Sequence, residues 1–418
     1  MTLFLASARS RLLPASVPFR FFAIAAALHV ALWVALIFAA GEFTQFRGGV
    51  GHALGAAHLL TVGVLTMTAV GAAMQLLPVA TTRPLAAVWP TKTVFCLLAP
   101  GALALIFGMF AAHVGAMIAG ATACAAGLLL FAGLLADNLR RASSMPLVRA
   151  YGWAAFVALV LLLALGFALA LDNSLGFLAD HAGLALVHMI LGAFGFMGLL
   201  ALGLSHVLVP MFALSSAPKG RVAWAGFALA AATVAAAIIG ALLGLPSVLA
   251  GACGLGFAAA LLHLWLMRAT LKSGMRKRLG LSFVLVRVAW AALALTPLFG
   301  LAALAGWGPG GTLFGLVALG GWLMTFLFAI LQRIAPFLAS MHVSRTGGGP
   351  ALLSDFSAAA PLKVHACCHF AALAGLALAI VLDNAPLAAL AACVGLAGAL
   401  AFGLFLAGIV KTLASGKI

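Results

Sequence analysis

Eleven histidines hold most of the metal-ligating and proton-exchanging capacity of this 418-residue chain, which has only six acidic residues. Neutral imidazole is a ligand for iron, copper and zinc, and a polar ring in an apolar setting needs a partner. His52, His58, His113, His181 and His188 all fall at one end of long apolar segments, at similar depth. They either bond headgroups, carbonyls and water there, or converge on a metal. His181 and His188 are seven apart, so they share a helix face but are separated by about 10.5 Å of rise and cannot readily share one ion.

A second polar set lies at the opposite ends of such segments. Gln75, His206, Gln332 and Arg333 stand three or four residues before Pro78, Pro210 and Pro336, with His263 and Arg287 as candidate neighbours. They either satisfy the carbonyls that proline frees or line a proton or anion path. A third set, "HACCHF", puts His365 and His369 at i and i+4 beside Cys367 and Cys368. Two imidazoles so spaced can bind one metal ion, with His342 as a candidate third ligand, or they are an incidental cluster at a helix start. The acidic residues all fall in loops or at helix ends, which excludes a path built on a mid-membrane carboxylate. Glu42 and Asp180 are placed either to orient an outer imidazole or, for Asp180, to cap a helix.

The elements that must position these residues are membrane helices. The chain is 66% hydrophobic and 7% charged, with a mean hydropathy of +1.27, which excludes a soluble globular domain. Twelve apolar runs are long enough to cross a bilayer: 18–41, 57–81, 93–115, 116–136, 150–171, 183–212, 220–243, 245–270, 281–306, 311–340, 363–382 and 385–411. The net charge of +16 comes from basic residues in short loops rather than on one aromatic-studded surface, so nucleic acid is excluded as a partner. With the N-terminus inside, only Arg47 falls in an outer loop, whereas Arg9, Arg11, Arg83, Arg140, Arg141, the run "RATLKSGMRKR", Arg345 and Lys417 are inner. That split predicts both termini in the cytoplasm and a multi-pass protein of the bacterial inner membrane. The first run lacks a cleavage site and reads as an uncleaved span. The six cysteines lie in spans or at their inner ends, so a disulfide framework is not expected.

The chain also repeats. "AAMQLLPVATT", "GLSHVLVPMFA" and "AILQRIAPFLA" align on Pro78, Pro210 and Pro336. A glycine lies fifteen residues before each proline (Gly63, Gly195, Gly321) and a small residue seven before (Gly71, Gly203, Ala329). Successive prolines are 132 and 126 residues apart, four spans in each case. The expected fold is all-α, with three pseudo-threefold units of four helices: residues 1–80 closed by 345–418, then 81–212 and 213–340. Small residues eight apart lie nearly on one face and permit close approach of neighbouring helices.

The repeat, together with "HLLTVGVLTMTAVGAAMQLLP" and "HMILGAFGFMGLLALGLSHVLVP", resembles subunit I of the heme-copper oxidases and the related NnrS family of heme- and copper-containing membrane proteins linked to nitric oxide tolerance. The resemblance implies twelve helices in three arcs, a bound heme, copper as a further cofactor, and a redox partner or respiratory subunit. Span 7 and the outer part of span 10 hold no histidine, so the oxidase's three-histidine copper site is not assembled and oxygen reduction is not expected. A heme ligand pair would come from two helices, His58 with His188, in the manner of bis-histidine cytochromes, with His52, His181 and His113 as further candidates. The expected function is therefore handling of nitric oxide, another diatomic gas or electrons. The alternatives are a twelve-helix transporter or an assembly subunit of a respiratory complex.

Overall fold

Backbone polar groups have no water to bond inside a bilayer, so an apolar chain of this composition satisfies them within helices. The computed structural model describes residues 12–343, 356 and 358–415. Twelve described helices are long and apolar enough to span a membrane: α1 (Ser16–Phe38), α2 (His52–Ala80), α3 (Pro90–Phe110), α4 (Val114–Arg141), α5 (Pro146–Leu175), α6 (His181–Ala213), α7 (Arg221–Leu242), α8 (Pro246–Ser273), α9 (Leu281–Leu304), α10 (Gly310–Val343), α11 (Ala359–Leu382) and α12 (Ala385–Ala414). Each expected span has its helix, and the largest discrepancies are five residues: α2 starts earlier, α4 ends later and α3 ends sooner than expected. Arg9, Arg11, Arg345, Asp355 and Lys417 lie outside the described residues.

Burial sorts the helices into inner and outer. In α2 and α10, 61% of the most apolar stretch is buried and in α6 56%, against 22% in α5, α7 and α8. The helices that carry the repeated prolines Pro78, Pro210 and Pro336 are therefore the most buried ones. Outer helices turn Phe107, Leu161, Leu261 and Leu404 outward, where lipid is the solvent that accepts them. Helices α3 and α4, α7 and α8, and α11 and α12 pack as antiparallel hairpins, followed by α5, α9 and, across the termini, α1; these three pack in turn on α6, α10 and α2.

The small residues of the repeat are notches for those neighbours. A Cβ on Gly71 would come within 2.6 Å of the Phe21 Cβ on α1, and one on Gly203 within 2.6 Å of the Tyr151 Cβ on α5. A Cβ on Gly63, Gly195 or Gly321 would meet Leu28, Ala158 or Ala292 at 3.1, 2.8 and 3.1 Å.

Each inner helix also contains a stretch wound as π-helix, which the sequence had not indicated: Leu59–Thr66, Leu191–Gly198 and Leu316–Met324. All three end twelve residues before their proline. Such widened turns are rare and leave carbonyls poorly paired. Hydroxyls reach back to two of them, Thr66 Oγ1 to the Thr61 carbonyl at 2.8 Å and Thr325 Oγ1 to that of Gly320 at 2.9 Å. The three π-stretches touch one another. Beyond them, α2, α6 and α10 enclose a 70 Å³ apolar seam to which they contribute repeat-equivalent positions, including Ala72, Leu204 and Ile330 and then Leu76, Leu208 and Ile334.

Connections meet on the two faces in alternation. On one face, Thr44 and Gln45, after α1, donate to Asp383 at the α11–α12 turn, and Arg47 donates to the Gly308 carbonyl between α9 and α10. On the other, Asn138 at the end of α4 donates to the Arg83 carbonyl after α2.

Candidate functional site

Of the five histidines expected at the outer ends, three are used by local structure. His113 caps α4, its Nδ1 accepting from the Ala116 N–H at 3.0 Å. His181 Nδ1 lies 2.7 Å from Asp172, whose other oxygen accepts from the Leu178 N–H, while Asp180 caps α6 through the Gly183 N–H. His52 Nδ1 lies 3.0 Å from Glu42, which also accepts the Ala53 N–H at 3.0 Å. That amide bond first, and then His52, hold the Glu42 carboxyl below its ordinary value. A depressed carboxylate pKa makes its contribution above the usual carboxylate range and loses it as pH falls through the depressed value. The Ala53 amide should therefore stay protected from hydrogen exchange at neutral pH and lose protection on acidification, and Glu42→Gln should weaken that protection at neutral pH. Protection unchanged in the variant would show that the carboxylate does not anchor the start of α2.

The other two face one another. His58 and His188, each nearly two turns into its helix, α2 and α6, stack with ring centres 6.4 Å apart and planes 17° apart. His58 Nδ1 lies 3.0 Å from the Leu54 carbonyl. A carbonyl only accepts, so Nδ1 carries the proton and Nε2 keeps its lone pair. His188 packs against Gly166 of α5, where a Cβ would come within 2.7 Å of its ring, and its buried Nδ1 has no hydrogen-bond partner among the described residues. The glycine makes room for the imidazole.

Compared with known proteins, the chain matches no family model and no curated protein. The geometry must therefore carry the argument. An imidazole nitrogen sits about 2 Å from a bound metal, as for zinc, so two rings clasping one ion from opposite sides have centres about 6 Å apart. The centres of the His58 and His188 rings fit that spacing, and to hold one ion each stacked ring would turn its in-plane nitrogen, rather than its face, toward the other. Among the described residues no three His, Cys, Asp or Glu side chains converge as a metal cage. A bare ion would lack ligands here, whereas heme brings four nitrogens of its own and asks the protein only for axial ones.

His365 and His369 of α11 do come together, with ring centres 5.5 Å apart, and both are almost fully buried. His342 is not their neighbour: its two nitrogens face the Leu338 and Leu13 carbonyls at 2.8 and 2.9 Å. The third ring is His29 of α1, 6.1 Å from His365, with Phe328 of α10 in contact with all three. Trp33 Nε1 donates to His29 Nε2 at 2.9 Å, and Thr325 Oγ1 lies 2.7 Å from His369 Nε2. Since that hydroxyl spends its one proton on Gly320, His369 Nε2 is the donor to it. His29 was not singled out from sequence; its i,i+4 spacing to Trp33 was the available signal.

In the set near the repeated prolines, no hydrogen bond among the described residues connects any two of Gln75, His206, Gln332 and Arg333. Gln75 accepts the Leu13 N–H at 3.1 Å. Arg333 donates to the Ser282 hydroxyl at 2.7 Å and to the Leu279 carbonyl, pinning α10 to the start of α9. His206 instead meets His263 of α8 at 5.8 Å and Tyr151 of α5 at 5.6 Å. The buried Nε2 atoms of His206 and His263 are both unpartnered among the described residues.

Proposed function

We propose that this multi-pass membrane protein binds heme between His58 and His188 near one membrane face, and uses it to handle electrons or a diatomic gas such as nitric oxide. The observation that carries the reading is the parallel imidazole pair, 6.4 Å between ring centres. His58 is oriented by its bond to the Leu54 carbonyl, which fixes the tautomer and raises the basicity of the opposite nitrogen. His188 has only a loose contact with the Leu162 carbonyl in place of such a bond, so it would be the more readily released of the two. His58 and His188 would hold the heme, which would supply one-electron chemistry or a place for a small gas. His188 would be the residue that yields to the gas, and His58 the one that stays. Electrons are exchanged with a redox partner or respiratory subunit on the same face. Copper as a second cofactor would fall to His29, His365 and His369, whose rings adjoin but do not close a cage. Absorbance and metal analysis of the purified chain test the reading. A Soret band with near-stoichiometric iron supports it, and a colourless protein that moves a solute across vesicles replaces it with the transporter reading.

The three four-helix units, the bacterial inner membrane and the cytoplasmic termini belong to the same proposal. The hairpin-then-helix packing around α2, α6 and α10 supports the units, and the single basic residue in the loop that holds Glu42 and His52 supports the orientation. Reporters fused after Gln45, Gly176 and Asn384 should be exposed outside, and those after Val88, Ser144, Pro218 and Gly274 inside. One swapped pair would overturn the orientation or the alternation.

A further inference from the structure

A 680 Å³ groove opens between α8 and α9, at the ends of these helices joined by the basic segment 274–280. Its α8 wall is the stripe Leu264, Trp265, Arg268, Leu271 and Lys272, and its α9 wall includes Arg287 and Trp290. At 1.5 Å per residue, Arg268 lies about 7.5 Å before the end of α8 and Arg287 about 9 Å beyond the start of α9. Both are therefore deeper than the loop, where topology alone would put positive charge.

Among the described residues these cations have no counter-ion. Glu42 holds His52, Asp137 holds Arg140 and Arg141, Asp172 holds His181, Asp180 caps α6, and Asp383 takes Thr44 and Gln45. No hydrogen bond or ion pair engages the side chain of Arg268, Lys272 or Arg287 among the described residues. Trp290 adds an unused donor. It is 6% exposed, and its indole N–H has no acceptor among the described residues. Unpaired charges at membrane depth are costly, and basic pockets between helices at the cytoplasmic side suit acidic headgroups. The apolar stems and rings of Leu264, Trp265 and Leu271 alongside suit acyl chains.

We propose that the α8–α9 groove is a binding site for a phosphate-bearing anion, supplied by the headgroup of an anionic phospholipid. Arg268, Lys272 and Arg287 bind its oxygens, and the two tryptophans flank it at the interface. The test uses the full-length protein in phosphatidylcholine nanodiscs, titrated with phosphatidylglycerol and followed by native mass spectrometry. Wild type should retain phosphatidylglycerol, and Arg268→Gln/Arg287→Gln should weaken retention roughly thirtyfold. Lys272→Gln, at an exposed helix end that tolerates change, should weaken it about fivefold. Arg140→Gln/Lys219→Gln, with the same loss of charge away from the groove, should leave it unchanged. A second arm titrates inorganic phosphate in pure phosphatidylcholine, read by tryptophan fluorescence. Binding of inorganic phosphate that is sensitive to the groove variants, without lipid retention, would overturn the lipid source. Equal lipid retention by wild type and both groove variants, or by none of them, would overturn the site.

Discussion

Alanine in place of His58 should cost the purified chain its heme or convert a six-coordinate spectrum to a five-coordinate one, and His188→Ala should do the same from the other side. Losing even a group that merely supports a ligand costs ten- to a hundredfold in affinity, so losing the ligand itself should lower heme content by at least about tenfold at limiting heme. The two variants should differ in degree. His58 is the better-oriented ligand through the Leu54 carbonyl, so His58→Ala should lose more heme, whereas His188→Ala should more often leave a five-coordinate species. His365→Ala should leave the heme spectrum as in wild type, because its ring lies in the separate cluster with His29 and His369. Insertion should be unaffected, since one histidine contributes little to span hydrophobicity. If both single variants keep the wild-type spectrum and stoichiometry, the pair is not the ligand set, and His52, His113 and His181 are the next to test.

The second large effect is mechanical and lies in the α3–α4 hairpin. Gly120 of α4 sits against the α3 backbone so closely that a Cβ would lie 2.2 Å from the Leu105 nitrogen and 2.7 Å from the Gly101 carbonyl. Those atoms belong to a helix main chain and cannot rotate away, so Gly120→Ala must push the two helices apart. Overpacking of this kind costs 1–3 kcal/mol and sometimes more, and we expect the upper end, about 3 kcal/mol. Gly133, thirteen residues along the same helix, has nothing within 4 Å of its missing Cβ. Gly133→Ala should be neutral or stabilising by up to about 1 kcal/mol, since alanine is the better helix former. Thermal unfolding in detergent should therefore move in opposite directions for the same chemical change. Equal melting of the two variants would mean that the hairpin is not packed this closely.

How much of this was legible in the sequence depends on what each feature is made of. The twelve helices were, because hydropathy over about twenty residues is a direct readout of the membrane's thickness. The inner helices were marked by Pro78, Pro210 and Pro336 and by their small residues, because close packing leaves a spacing that survives in one dimension. The pairing of His58 with His188 was reachable because both open proline-bearing helices at nearly the same offset. His29 escaped because a single histidine in an apolar run carries no period; its role exists only where α1 meets α11. The π-stretches escaped for a related reason. Their residues, such as "LLTVGVLT" and "LGAFGFMG", are the apolar and small residues common to membrane helices and carry no mark of a widened turn, which lies where three helices touch. Arg333 looked like a path residue because it stands three residues before Pro336, but its partners, Ser282 and Leu279, are more than fifty residues away.

The seam between α2, α6 and α10 has an electrical meaning. Its walls are aliphatic and aromatic apart from Thr68, and at 70 Å³ it offers an ion nothing to replace its hydration shell. Narrow apolar constrictions of this kind tend to empty of water and so conduct neither ions nor protons. Each 100 mV across an energised membrane is worth about 2.3 kcal/mol per charge, and an aqueous leak along the axis would dissipate it. Ions and water-borne protons therefore find no path along this stretch of the axis. If the His58 and His188 end exchanges charge as proposed, its protons would be drawn from the same side, and that chemistry would neither generate nor spend the membrane voltage.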